Sequence, residues 1–136
     1  MKQIMALIAL AVGSFFLFSA SADGKTITGT KFITVYKGKG EVICRLDYSV
    51  QYGSTGILCQ NRTHIVYLLG SIPADDLGPI DGSIAMPTEA TPLYVGDYWR
   101  RGQFVCVGKT YGRVRCESLK YPYHWFVMGA TFVNRH

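Results

Sequence analysis

Four cysteines constrain the fold of this chain more than any other feature of its sequence. Cys44 and Cys59 lie in one half, Cys106 and Cys116 lie in the other, and a long stretch without cysteine separates the two pairs. Four cysteines allow three connectivities. We expect the local pairing, Cys44 with Cys59 and Cys106 with Cys116, because each bridge then closes a hairpin-sized loop and stabilises the fold by about 3 kcal/mol in the chain-entropy description.

The first residues indicate the compartment in which these thiols are held. Lys2 precedes an apolar run from Ile4 to Phe18, and the small residues of Ser19 to Ala22 follow it. This order is that of a cleaved signal peptide with an A-x-A site, and the run is shorter than the about 20 apolar residues that a membrane span needs. We expect residues 1–22 to be removed, leaving residues 23–136 as a single secreted or periplasmic domain with no membrane span.

An oxidising compartment favours disulfides over metal ligation by the same four cysteines. A zinc site is the alternative, but the sequence has no C-x-x-C pair, and structural zinc sites usually contain one. The sequence also shows no catalytic or cofactor motif, so we expect neither a metal nor a cofactor.

The charge of the chain is mildly basic, with a formal net charge of +5. Nucleic-acid binders concentrate basic residues in a run or on one face. Here they are scattered, and the close pairs are Lys37/Lys39, Arg100/Arg101 and Arg113/Arg115. We therefore expect no nucleic-acid partner, and a surface drawn to anionic polymers of the cell envelope. Nothing in the sequence indicates the oligomeric state.

Apolar residues recur with a period of two, and glycines and prolines punctuate the segments between them, which predicts an all-β fold. The predicted class is a small antiparallel β-sandwich or partly open barrel with two disulfide-tied hairpin units. The predicted strands are Lys31 to Tyr36, Glu41 to Tyr48, Gly56 to Gln60, His64 to Leu69, Ser83 to Met86, Gln103 to Gly108, Arg113 to Ser118, and His124 to Asn134 with a possible break at Gly129.

The two cysteine units resemble each other. Gly40 to Cys44 matches Gly102 to Cys106, and a Tyr-Gly turn precedes the second cysteine of each pair. Either an internal duplication or convergence on the same hairpin chemistry explains the match, because two copies are few for a repeat. The segment 70–96 between the units is expected to be a mostly irregular connection, and its carboxylates Asp75 and Asp76 lack the alternation of a calcium loop.

The cysteine-bearing segments are followed by Tyr123-His124-Trp125-Phe126. Together these segments resemble a family of small secreted bacterial proteins that is catalogued as a domain of unknown function. Members end in two cysteine-bearing strands and a Gly-His-Gly-Phe-Phe segment. This chain keeps the histidine and an aromatic residue but lacks both glycines. The resemblance implies local disulfides and β-hairpins, and it implies no activity.

Aromatic residues and arginines are the candidate binding groups. Tyr98, Trp99, Arg100 and Arg101 are consecutive in what reads as a loop before a strand, and His124 and Trp125 follow the last cysteine. Rings with neighbouring guanidinium groups suit sugar faces, carboxylates and phosphates. The first hypothesis is a non-catalytic binding module for an envelope polymer or a protein partner. The alternative interpretation is that the rings fill the core.

Enzymatic function is a second hypothesis. The spacing of residues in the sequence identifies no catalytic residue. A small nuclease-like hydrolase with His124 as general base would need a carboxylate such as Glu89 or Glu117 nearby. The final residue, His136, is expected to fray. Asn61-Arg62-Thr63 is a glycosylation sequon in a eukaryotic source and a hairpin turn in a bacterial one.

Overall fold

The computed structural model describes residues 24–79 and 89–136. The leader at 1–22 and the strand predicted at Ser83 to Met86 lie outside these residues. No helix of the described residues is long and apolar enough to cross a membrane.

The described residues form twelve short strands and one 3₁₀ turn at Thr110–Gly112. The strands are β1 (Thr26–Ile27), β2 (Lys31–Tyr36), β3 (Lys39–Ser49), β4 (Ser54–Gln60), β5 (His64–Leu68), β6 (Asp75–Pro79), β7 (Thr91–Leu93), β8 (Tyr98–Arg101), β9 (Phe104–Lys109), β10 (Arg113–Ser118), β11 (Trp125–Met128) and β12 (Val133–Arg135). The all-β prediction and the two local disulfides are confirmed.

The strands form two sheets of six. Sheet 1 has the order β6-β5-β4-β3-β2-β7, and sheet 2 has the order β1-β8-β9-β10-β11-β12. The consecutive strands β2 to β6 and β8 to β12 are antiparallel meanders. Buried residues from both sheets form one hydrophobic core, which makes the fold a sandwich.

Each sheet contains one strand that comes from the other half of the chain. β1 precedes the first meander but pairs in parallel with β8 of the second. In the same way, β7 precedes the second meander but pairs in parallel with β2 of the first. The chain turns from one sheet to the other at Gly29 and Gly96, which both have positive φ, 123° and 87°, a conformation that glycine adopts without steric cost.

One completely buried row crosses the middle of each sheet. In sheet 1 the row consists of Phe32, Cys44, Cys59 and Val66, and in sheet 2 it consists of Trp99, Cys106, Cys116 and Phe126. The rows meet in the core, where the rings of Phe32 and Trp99 lie 5.0 Å apart between centroids at an angle of 53°. This matching register, together with the exchanged leading strands, supports the duplication hypothesis.

The strand predictions were wrong or incomplete in two segments of the chain. Tyr98 to Arg101 was expected to be a loop and is β8, and the segment 70–96 contains β6 and β7 in addition to irregular chain. The predicted break at Gly129 is confirmed, since β11 ends at Met128 and β12 begins at Val133.

The loop between β4 and β5 is fixed to the loop between β11 and β12 by Asn61, whose side chain is completely buried. Its Nδ2 donates to the carbonyl oxygens of Gly129 at 2.7 Å and Phe132 at 3.2 Å. Its Oδ1 accepts from the backbone N–H groups of Thr63 at 2.8 Å and His64 at 2.6 Å. The amide nitrogen to which a glycan would be attached is therefore buried and hydrogen-bonded, which favours the turn interpretation of the sequon.

Replacing Trp99 by Ala tests the core. The variant loses a completely buried indole, so we expect the free energy of unfolding to fall by about 3–5 kcal/mol in urea denaturation. The matched control is Tyr98→Ala, because Tyr98 is on the same strand and is partly exposed. Its effect should be within about 1 kcal/mol. Equal losses for the two variants would contradict the assignment of Trp99 to the core.

Replacing Asn61 by Asp tests the buried amide. The new carboxylate oxygen would face the carbonyl oxygens of Gly129 and Phe132 and remove a hydrogen-bond donor from each, so we expect a loss of about 2–3 kcal/mol in the free energy of unfolding. The exposed Asn134 provides the control Asn134→Asp, which should leave stability unchanged within error. A stable Asn61→Asp variant would show that these hydrogen bonds are dispensable.

Candidate functional site

The six candidate binding residues do not form one patch. Three of them, Tyr98, Arg100 and Trp125, point to the outer side of sheet 2, because they alternate with the buried row. One row of paired residues crosses the four strands β8 to β11. From β8 to β11 it contains Arg100, Val105, Glu117 and Trp125. Arg100 and Trp125 are thus three strand spacings apart, roughly 14 Å.

Trp99 is completely buried, with an exposed fraction of 0%, so for this ring the alternative interpretation, that it fills the core, applies. Its neighbour Arg101 is also used inside the fold. The Trp99 Nε1–H donates to the carbonyl oxygen of Gly29 at 3.1 Å, and the Arg101 Nε–H donates to the same oxygen at 3.0 Å. Both side chains fasten the turn between β1 and β2, so neither contributes its ring or its Nε to a ligand.

The outer side of sheet 2 also contains Arg115, which the sequence did not single out for binding. Its guanidinium carbon lies 4.2 Å from the centroid of the Trp125 ring, in a cation–π contact. Its Nε is 3.8 Å from the Glu117 carboxylate. Among the hydrogen bonds of the described residues, none starts from the Arg115 or Arg100 guanidinium; the Arg115 side chain is 32% exposed, and Arg100 is exposed.

His136 follows β12 directly and supports Trp125. Its ring stacks on the indole with 4.0 Å between centroids, its backbone N–H donates to the Trp125 carbonyl oxygen at 2.8 Å, and its carbonyl oxygen accepts from Ala74 at 3.3 Å. His136, which was expected to fray, is thus stacked and hydrogen-bonded in the structure. We call the outer surface of Tyr98, Arg100, Arg115, Glu117 and Trp125 the aromatic–arginine face.

The corresponding surface of sheet 1 has different chemistry. When the two buried rows are aligned, Arg115 corresponds to Leu58, Trp125 to Ile65 and Arg100 to Ile33. The inward positions keep their character, since aromatic or aliphatic residues flank a disulfide in both rows. The positions of Arg115, Trp125 and Arg100 are therefore not required by the fold, and the outer face of sheet 1 instead carries Lys31, Arg45 and Tyr67 in the row through Leu58.

His124, the candidate general base, lies outside this face. Its Nδ1 is buried without a hydrogen-bond partner, and its ring contacts Tyr123 edge-on at 4.6 Å. Within residues 24–79 and 89–136, no ion pair involves His124. The histidine that has polar partners is His64: its Nδ1 is 2.7 Å from Thr63 Oγ1 and its Nε2 is 4.0 Å from Asp76 Oδ2.

The cysteines are the described residues whose ligand atoms are close enough to hold a metal. The Sγ atoms of Cys44, Cys59 and Cys116 all lie within 4.8 Å of one another. Each of these cysteines is in a disulfide, and the thiolate rather than the disulfide sulfur is the metal ligand. The short distances show instead that the two disulfides pack against each other in the core.

A cavity of about 140 Å³ lies on the outer side of sheet 1, lined by residues that include Asp47, Tyr52, Tyr67, Asp75 and Leu77. The Tyr67 hydroxyl donates into the hairpin beneath it, 2.8 Å from the Asp47 carbonyl oxygen and 3.2 Å from that of Ser54. Burial raises the pKa of this hydroxyl above its ordinary 10.0, and the negative charge of Asp47 raises it further, while the backbone of Gly56 acts in the opposite direction.

The raised pKa of Tyr67 predicts a loss of stability at alkaline pH. As pH rises above about 10, the unfolded state releases the Tyr67 proton before the folded state does, so the free energy of unfolding falls. Tyr67→Phe should make this decline shallower, measured by urea denaturation at a series of pH values. Tyr123→Phe, at an exposed position, is the control. Identical slopes for the parent and Tyr67→Phe would count against a raised pKa.

Comparison with known proteins adds no relative: no protein-family model, curated protein or solved structure matches this chain. The resemblance to the secreted bacterial family stays a prediction.

Proposed function

We propose that this protein is a non-catalytic binding module that works outside the cytoplasm and holds an envelope polymer on the aromatic–arginine face. The two disulfides are typical of proteins that fold in an oxidising compartment outside the cytoplasm. A signal peptide at residues 1–22 would deliver the chain there.

The observation that carries this proposal is the position of Arg115. Its guanidinium is held 4.2 Å from the Trp125 ring, and the ring is itself stacked on His136. Ordering a long cationic side chain costs rotamer entropy on binding, and this stack has already ordered it. The N–H edge of a planar guanidinium is suited to bidentate contact with a carboxylate or phosphate.

The remaining residues of the face fit a polymer better than a small molecule. The face is the outer surface of a sheet, and its arginines and rings are spread across strands β8 to β11. Val105, Val107 and Val127 are partly exposed between them and offer apolar surface to the ring faces of sugars. A flat, wide site of this kind suits repeated weak contacts along a chain.

The test is a pair of single variants, Arg115→Ala and Trp125→Ala, assayed for retention on isolated envelope polysaccharide. We expect each variant to weaken binding by about 1–3 kcal/mol, the range for hydrogen bonds to charged groups and for aromatic contacts. Arg45→Ala is the matched control, since Arg45 is an arginine on the outer face of sheet 1 that lies 3.8 Å from a neighbouring carboxylate, Asp47.

Retention that is equal for the parent, Arg115→Ala and Trp125→Ala would refute the proposal. Equal loss in Arg45→Ala would also count against it, because it would show that binding follows net charge and not this face. Circular dichroism of each variant establishes that the sheets are intact.

A further inference from the structure

The turn between β9 and β10 is docked onto sheet 1. Thr34, which is buried, donates its hydroxyl hydrogen to the Gly112 carbonyl oxygen at 2.5 Å. A Cβ atom at Gly112 would come within 2.7 Å of Glu41 Cγ and 2.9 Å of Tyr36 Cβ, so only glycine permits this approach. The turn of one half of the chain is thereby held beside the hairpin of the other half.

This docking gathers basic residues that are far apart in the sequence. Tyr111 lies edge-on to Tyr36 with 5.6 Å between ring centroids. Lys37 Nζ lies 5.3 Å from the Tyr36 ring, and the Arg113 guanidinium carbon lies 5.3 Å from the Tyr111 ring. Lys39 faces Tyr36 across one hairpin and Lys109 faces Arg113 across the other. We call the surface formed by Tyr36, Lys37, Lys39, Lys109, Tyr111 and Arg113 the basic end.

Tyr111 is held in a conformation that a large side chain rarely adopts. Its φ is 63°, in the left-handed region, where a bulky residue is an outlier. Its ring is 64% exposed, so core burial does not offset the backbone strain. Strain of this kind is concentrated at functional sites. A glycine or asparagine would fit this backbone better, and the tyrosine therefore points to a role for its exposed ring.

The basic end is continuous with the aromatic–arginine face. Arg113 and Arg115 point to the same side of β10 and are two residues apart, about 7 Å along the strand. The Arg113 guanidinium is fixed by hydrogen bonds to the Thr110 carbonyl oxygen at 2.9 Å and hydroxyl oxygen at 2.7 Å. A continuous path of rings and cations thus runs from Trp125 through Arg115, Arg113 and Tyr111 to the opposite sheet.

We infer that this path binds one anionic polysaccharide chain along its length, an inference that rests on the proposed function of the aromatic–arginine face. Cations with rings beside them match a polymer that carries a carboxylate or phosphate on successive repeats together with apolar sugar faces. The path has a net positive charge, because its carboxylates are Glu117, beside Arg115, and the buried Glu41. Single-stranded nucleic acid presents similar charge, but the disulfides indicate an oxidising compartment outside the cytoplasm, which favours the envelope polymer of the proposed function.

The experiment measures the affinity of the full mature chain for polyuronate, using a long fraction and a disaccharide-sized fraction, with neutral dextran as the uncharged control. The double variant Lys37→Ala/Lys109→Ala removes two exposed cations of the basic end. We expect it to weaken binding of the long fraction roughly fivefold to tenfold, as loss of two exposed charge contacts implies, and to leave binding of the short fraction unchanged. Raising the salt concentration should reduce the difference.

Lys120→Ala is the matched control. Lys120 also lies over a tyrosine ring, 5.5 Å from the centroid of Tyr121, but it follows β10 at the other end of that strand. Its removal should leave the affinity for the long fraction unchanged.

Tyr111→Gly separates binding from folding. Glycine relieves the positive φ, so we expect the free energy of unfolding to stay equal or rise, while affinity for the long polyuronate falls about threefold or more, as loss of one aromatic contact implies. A residue retained for structure alone would give the reverse result, with lower stability and unchanged affinity.

The outcomes distinguish this inference from the proposed function. If Arg115→Ala weakens binding of both fractions and the basic-end variants do not affect the long fraction, the face binds its polymer and the extended path is refuted. If Arg115→Ala has no effect either, both proposals fail. Tighter binding of single-stranded nucleic acid than of polyuronate at the same salt concentration would overturn the polysaccharide assignment.

Discussion

The two disulfides pack against each other between the sheets, and the rest of the structure depends on this contact. Cys44 pairs directly opposite Cys59, and Cys106 directly opposite Cys116, so each bond fixes the register of its hairpin. A slip of one residue would turn every side chain of a strand to the other face. The covalent register therefore decides which residues enter the core and which face solvent in both sheets, including the outward positions of Arg113, Arg115 and Glu117.

Much of this fold could be predicted because its central hairpins obey local rules. The strand Arg113 to Ser118 was predicted with the bounds that the structure has, since apolar and polar residues alternate along it and a Tyr-Gly turn precedes it. The leading strands β1 and β7 could not be predicted in this way. They have two and three residues, too few to show a period, and their partners lie on distant strands of the other half.

The candidate site was predicted in part for a related reason. Aromatic and arginine residues in the last third of the chain drew attention to Tyr98, Arg100 and Trp125, but not to the burial of Trp99. That burial depends on the β8–β9 hairpin, where the turn at Gly102 sets Trp99 opposite Cys106. The available signal was the alternation of side chains across this hairpin: a residue opposite a cysteine that points into the core must also point into the core. The contact of Arg115 with Trp125 requires the pairing of β10 with β11, which no local pattern encodes.

The exchanged leading strands have a consequence for how the two outer faces can change. Each sheet is completed by a strand from the opposite half, as in an assembly whose subunits swap one element. In such an assembly of identical subunits, one sequence would specify both outer faces, and a substitution on one would appear on the other. Here a single chain encodes the faces separately. Leu58 and Ile65 can stay on one side of the molecule while Arg115 and Trp125 occupy the matching positions on the other. The two outer faces of this sandwich can therefore differ in chemistry although their strands correspond.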